Sequence, residues 1–116
     1  MTLEEELEHY RPWNEQEARD RAEILRRLRS GEELYSRDNA SAHLTASAWV
    51  VSPDRRQVLM AYHNIYKSWS WLGGHADGQR DLLAVSLREV REESGLTDLR
   101  PVSPAIYSVE ILTVDG

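Results

Sequence analysis

At 116 residues, the chain has the length of one small domain, near the size at which a single core buries enough apolar surface to fold alone. Its 41% hydrophobic and 29% charged residues are the balance of a globular chain, and the net charge of −6 argues against broad binding to nucleic acid polymers, whose phosphates attract basic surfaces. A small phosphorylated substrate stays open, because a bound divalent cation reverses the local field. Zero cysteines exclude disulfides, zinc–thiolate sites, iron–sulfur clusters and thiol nucleophiles.

The first ten residues, MTLEEELEHY, are acidic where a secretory signal would be basic, and no run approaches the ~20 apolar residues that span a bilayer. A cytoplasmic location and no membrane contact are the expectation. The first helix is expected from about Glu15 to Ser30: Asn14 is a good N-cap, Glu17 completes a capping-box-like pattern, and Gly31 supplies the stop. Ala18, Ala22, Leu25 and Leu28 recur along it at helical spacing. The runs His43–Val51 (HLTASAWVV) and Val58–Tyr62 (VLMAY) read as strands, and Ser52, Pro53 and Asp54 between them read as the turn of a hairpin. Tyr62, Tyr66, Trp69 and Trp71 then crowd a loop ahead of Gly73–Gly74. A helix from about Asp81 to Ser94 closes at Gly95, and Ala105–Val114 (AIYSVEILTV) reads as a last strand. This order predicts a single α/β or α+β layered domain spanning residues 1–116.

On a wheel of 100° per residue, Leu83, Leu87 and Val90 form one apolar stripe of the second helix, and Glu89, Glu92 and Glu93 fall roughly opposite it. Carboxylates at these spacings repel by a few tenths of a kcal/mol per pair, so the cluster asks for a counterion. Arg88 and Arg91 flank it, and neither alone cancels three charges. A hard divalent cation such as Mg²⁺ suits oxygen ligands of this kind, whereas a solvated acidic face would need none.

Gly74–Leu96, GHADGQRDLLAVSLREVREESGL, resembles the Nudix box: a glycine, five residues, a glutamate, seven residues, then Arg-Glu-apolar-X-Glu-Glu-X-Gly-apolar. Gly74 matches the opening glycine, and Arg88, Glu89, Val90, Glu92, Glu93, Gly95 and Leu96 match the closing block. Arg80 stands where the family has its first glutamate, which places it near the cationic Arg88 unless Asp77 or Asp81 intervenes. The resemblance implies a Nudix-like α/β/α sandwich with a mixed sheet. It also implies hydrolysis of a diphosphate linkage in a nucleoside diphosphate joined to another moiety, with Mg²⁺ or Mn²⁺ as cofactor. Carried over by residue, it assigns Glu89, Glu92 and Glu93 to the metal or the attacking water, Arg88 to orienting a glutamate, and the Gly74 backbone to the metal. Gly73, Gly74, His75 and Trp71 become substrate contacts. Trp69, Trp71 and Tyr66 either stack on a base or pack beside the glycine loop, and His63 and His75 could donate to phosphate. The general base stays unassigned.

Two other readings follow from the same resemblance. The isopentenyl diphosphate isomerases of this fold use a cysteine, and this chain has none. A non-catalytic domain that binds a ligand or a partner would be signalled by an eroded box, of which Arg80 is the one sign. Family domains continue with further strands and a helix beyond a point like Val114. The sequence therefore reads as a truncated fold, a compact variant or a fold completed by a partner chain; truncation would leave an unpaired sheet edge, and a homodimer or other assembly is the expectation.

Overall fold

The capping spacing Thr-x-x-Glu at Thr2–Glu5 opens helix α1 (Leu3–His9). The Glu5 amide donates to Thr2 Oγ1 at 3.1 Å, and the Thr2 amide donates to Glu5 Oε1 at 3.1 Å. The sequence reading takes these residues only for their acidity, as unlike a secretory signal, and does not place the helix. Helix α2 (Glu15–Arg29) begins where expected, with Asn14 Oδ1 accepting from the Glu17 amide at 2.8 Å. The computed structural model describes residues 2–63 and 68–112, with the backbone alone for 61–63 and 68–70. Tyr66, Val114 and the chain end lie outside the described residues, as do the side chains of Tyr62, His63 and Trp69.

The chain divides into two units, residues 1–33 with 102–116, and residues 34–101. In the first, Leu7, Leu25 and Val109 form a buried cluster joined by Leu3, Tyr10, Ile24, Leu28 and Ile106. Burying a leucine such as Leu7 contributes about 1.5–3 kcal/mol. The strand expected over 105–114 is not formed across the described residues 105–112. Two carboxylates of α2 take the place of a ladder: the Val109 amide donates to Glu17 Oε2 at 3.0 Å and the Ile111 amide to Asp20 Oδ2 at 3.1 Å. Both carboxylate residues are buried, and Glu17 also accepts from the Tyr10 hydroxyl and the Trp13 amide. A segment whose alternate amides are satisfied by side chains has no need of a neighbouring strand.

In the second unit the expected hairpin forms, as β2 (Val50–Val51) and β3 (Val58–Leu59), with Val50 opposite Leu59. The Arg55 amide closes the turn on Ser52 O at 2.8 Å. The rest of each expected strand pairs elsewhere. β1 (Thr45–Ala48) lies antiparallel to β6 (Leu72–His75), and β4 (Ala61–His63) to β5 (Ser68–Ser70). The described ladders are thus three antiparallel pairs that meet where Trp49, Met60 and Trp71 interrupt them.

Helix α3 (Leu82–Ser94) packs on β1 and β6. Asp81 caps its first turn by accepting from the Ala84 amide at 3.1 Å, and Gly95 ends it in the left-handed conformation at φ 75°. Its inward face differs from the expected stripe: Val85, Ser86 and Val90 are buried, whereas Leu83 and Leu87 are half-buried. The helix is turned by about a quarter of a rotation, which brings Glu89 toward the strands instead of away from them. Gly74 beneath it has no Cβ, and the Glu89 carboxyl fills the space that one would take. Fold class is therefore mixed α+β, with three helices and antiparallel strand pairs among the described residues.

Candidate metal and substrate site

Period-two alternation divides the β1–β6 ribbon into two faces. Leu72 and Ala76 are buried toward α3, and Gly74 lies on their side. A Cβ at Gly74 would stand 2.5 Å from Glu89 Cδ and 2.7 Å from Glu89 Oε2, so the Glu89 carboxyl occupies the space a side chain would take. One helical turn on, Glu93 Oε1 accepts from the Gly73 amide at 3.3 Å. Arg88 lies alongside, its Nη2 donating to Glu89 Oε1 at 3.2 Å and to His75 O at 3.4 Å.

Glu89 is half-buried over Gly74, whereas Glu93, which reaches the Gly73 amide, is exposed, as are Glu92 and Arg91. Among the described residues, no three His, Asp or Glu side chains converge closely enough to enclose a metal ion. Two carboxylates above bare backbone still fit the chemistry of Mg²⁺. That ion commonly keeps several waters and uses one or two protein carboxylates together with substrate phosphates.

The loop before α3 holds its charges in pairs. Asp77 and Gly78, at φ 48° and 89°, make a tight turn that the Gln79 amide closes on Ala76 O at 3.0 Å. Arg37 grips Asp77 through two bonds of 2.9 and 3.0 Å. The Arg80 guanidinium lies 4.6 Å above the Tyr35 ring, a cation–π contact. Asp77 is therefore engaged by Arg37, and the residue in place of the box glutamate has a partner of its own.

The opposite face of the ribbon carries Thr45 and Ser47 of β1, Gly73 and His75 of β6, and the flanking Trp49 and Trp71. Trp49 and Trp71 stack, with ring centroids 3.9 Å apart and planes at 25°, and both are exposed. At the other end, His43 Nε2 and His75 Nδ1 are 3.1 Å apart, one ring donating and the other accepting. Burial holds the His75 imidazole below its ordinary value, with the Arg37 guanidinium and His43 adding to the shift against the pull of Asp77 and Glu89. Between the pairs, a Cβ at Gly73 would meet Ser47 Cβ at 2.5 Å and Ala46 O at 2.6 Å, so glycine is required for the strands to approach.

The residues assigned to substrate from the sequence accordingly divide. Gly74 lies beneath α3, whereas Trp71 and His75 lie on the far face. Sequence reasoning missed His43, Ser47 and Trp49, although the alternation His43, Thr45, Ser47, Trp49 already placed them on one side of a strand. The stacking of Trp49 on Trp71 depends on a pairing between segments more than twenty residues apart in the chain. No protein-family model matches this chain, and no curated protein sequence is significantly similar to it.

Proposed function

We propose that this chain is a metal-dependent hydrolase of the Nudix type, cleaving a diphosphate linkage in a nucleoside diphosphate joined to another moiety. The observation that carries the reading is Glu89 seated over Gly74 with Glu93 on the Gly73 amide, within a loop and helix whose spacing resembles the Nudix box. Glu89 and Glu93 would hold Mg²⁺ or Mn²⁺, with Glu92 completing the acidic set. Bound there, the ion would neutralise phosphate oxygens and favour ionisation of water. Arg88 would orient the Glu89 carboxylate through its hydrogen bond. The layered α/β/α sandwich with a mixed sheet, a cytoplasmic location and assembly as a homodimer belong to the same proposal. Exposed Val102, Tyr107 and Leu112 support assembly, and light scattering at micromolar concentration checks it: a monodisperse monomer removes that part.

A phosphate-release screen over nucleotide sugars, ADP-ribose, nucleoside triphosphates and dinucleoside polyphosphates, with and without Mg²⁺, tests the activity. Glu93→Gln should remove most metal-dependent turnover while far-UV circular dichroism stays unchanged, because Glu93 is exposed. Full activity in that variant, or no turnover of any substrate together with no metal binding by calorimetry, would refute the reading. Arg80 on Tyr35 favours one second reading, a catalytically weak domain that binds its ligand without cleaving it. Saturable binding of a nucleoside diphosphate compound without turnover would select that alternative. Among the described residues, no helix is long and apolar enough to cross a membrane.

A further inference from the structure

His43 and His75 lie 32 residues apart in the chain, and the pairing of β1 with β6 brings their rings together on the ribbon face turned away from α3. The facing nitrogens, His43 Nε2 and His75 Nδ1, are 3.1 Å apart, with ring centroids at 5.0 Å and planes tilted by 41°. The backbone around both residues is held. The Leu44 amide donates to Leu34 O at 2.6 Å, and Leu44 O accepts from the Ala76 amide at 3.3 Å, so the residues that follow the two histidines are bonded to each other. Before His43, the Ala42 amide donates to Asn39 Oδ1 at 3.2 Å, and His75 itself ends β6 opposite Thr45. The rings thus meet on a fixed frame and adjust by side-chain rotation alone.

Their separation is the one that a shared metal ion imposes. Two imidazole nitrogens, each ~2.0–2.1 Å from one ion, stand about 2.9 Å apart at a right angle and about 3.3 Å apart at the tetrahedral angle. We infer that His43 Nε2 and His75 Nδ1 form a two-imidazole site for a transition-metal ion of the Zn²⁺, Cu²⁺ or Ni²⁺ class, separate from Glu89 and Glu93. Imidazole suits these ions, whereas Mg²⁺ keeps to oxygen. The proton shared between the rings moves to the outer nitrogen of the ring that donates it. Both facing nitrogens then present lone pairs, and no proton has to leave. His43 is exposed, so water fills the remaining positions on the ion. Of the charged groups that act on His75, Arg37 is tied to Asp77 by two bonds, and Asp77 and Glu89 favour a cation. A bound ion would also fasten the end of β6 to the residues entering β1, and nothing in this depends on hydrolysis.

Calorimetry of Zn²⁺ into the full chain at neutral pH, with millimolar Mg²⁺ present to occupy oxygen ligands, tests the site. Zn²⁺ should bind saturably, and His43→Ala or His75→Ala should weaken it at least about tenfold, because one imidazole then acts alone. The double variant should be little weaker than either single one, and His9→Ala should change nothing. Zn²⁺ should raise the melting temperature of the wild type and not that of His43→Ala. Ring ¹⁵N spectra should place the ion on Nε2 of His43 and Nδ1 of His75. If His75→Ala fails to fold, His43→Ala decides alone, since that residue is exposed and lies outside the strands. No saturable Zn²⁺ binding, unaltered affinity in His43→Ala, or ring shifts confined to His9 or His63 would overturn the inference. Zn²⁺ binding that is lost in Glu93→Gln and kept in His43→Ala would assign the ion to the carboxylates and sink it as well. Loss of turnover in Glu93→Gln with Zn²⁺ affinity intact leaves both this site and the hydrolase reading standing, and Zn²⁺ binding without turnover of any substrate leaves this site alone.

Discussion

The two consecutive glycines of β6 meet different neighbours, and this separates their roles. An added Cβ at Gly73 would run into the backbone and Cβ of the paired strand, whereas at Gly74 it would meet the mobile end of Glu89. Gly73→Ala should therefore cost about 1–3 kcal/mol in urea unfolding, and Gly74→Ala clearly less. The order reverses for function: Gly74→Ala displaces a carboxylate of the proposed site and should weaken metal binding by calorimetry. Arg80→Glu should lower stability by about 0.5–1 kcal/mol, because the cation over the Tyr35 ring is lost. A gain in stability would show that the contact with Tyr35 contributes nothing. His75 adds a pH dependence with a definite sign. Its folded value lies below the ordinary 6.5, so above that pH both states are neutral and there is no penalty. As the pH falls through 6.5 the unfolded chain takes up the proton first and stability declines, levelling off below the folded value. Titration of the ring by NMR should show His75 protonating below 6.5, and His43→Ala should move it upward.

Helix boundaries followed from residues within four positions of each end, and this is why they were readable in advance. Asn14, Asp81 and Gly95 fix the limits of α2 and α3 by local hydrogen bonds and backbone conformation. Asp81→Ala should cost about 1 kcal/mol, and Gly95→Ala about 1–2 kcal/mol because an alanine must adopt φ 75°. The capping box that starts α1 was equally local and equally visible. The hairpin of β2 and β3 was legible for the same reason, with its turn signals lying between the strands. The rotation of α3 was not. Its wheel places Leu83, Leu87 and Val90 on one stripe and Val85 apart from it, and periodicity alone does not show that Val85 and Ser86 share the buried side with Val90.

At the scale of the molecule, each unit has apolar residues of its own in the interior, Leu7, Leu25 and Val109 in one, and Leu72, Val85 and Val90 in the other. Leu7→Ala and Leu72→Ala should each destabilise by about 2–5 kcal/mol in urea titration, since both leucines are only 2% exposed. The first unit also rests on a buried acid. Burial alone would raise the Glu17 carboxyl, yet the bonds from the Trp13 amide, the Tyr10 hydroxyl and the Val109 amide outweigh it and hold it below its ordinary value. The stability this gives is complete above about pH 4.5 and is lost as the pH falls through the lowered folded value. Glu17→Ala should remove that acid limb and cost about 1–3 kcal/mol by leaving buried donors unsatisfied.

The sequence by itself determined the two long helices and their caps, the hairpin and its turn, the lack of thiol chemistry, and the acidic spacing behind the glycine pair. Each of these is settled by residue type or by neighbours a few positions away. Only the tertiary structure decided that Glu89 and Glu93 turn toward the strands and that Trp71 and His75 face away from them. It also decided that residues 105–112 are held by Glu17 and Asp20 rather than by a strand. Those outcomes depend on which distant segments meet, and the space over Gly74 that Glu89 fills, or an amide in search of an acceptor, exists only once they have.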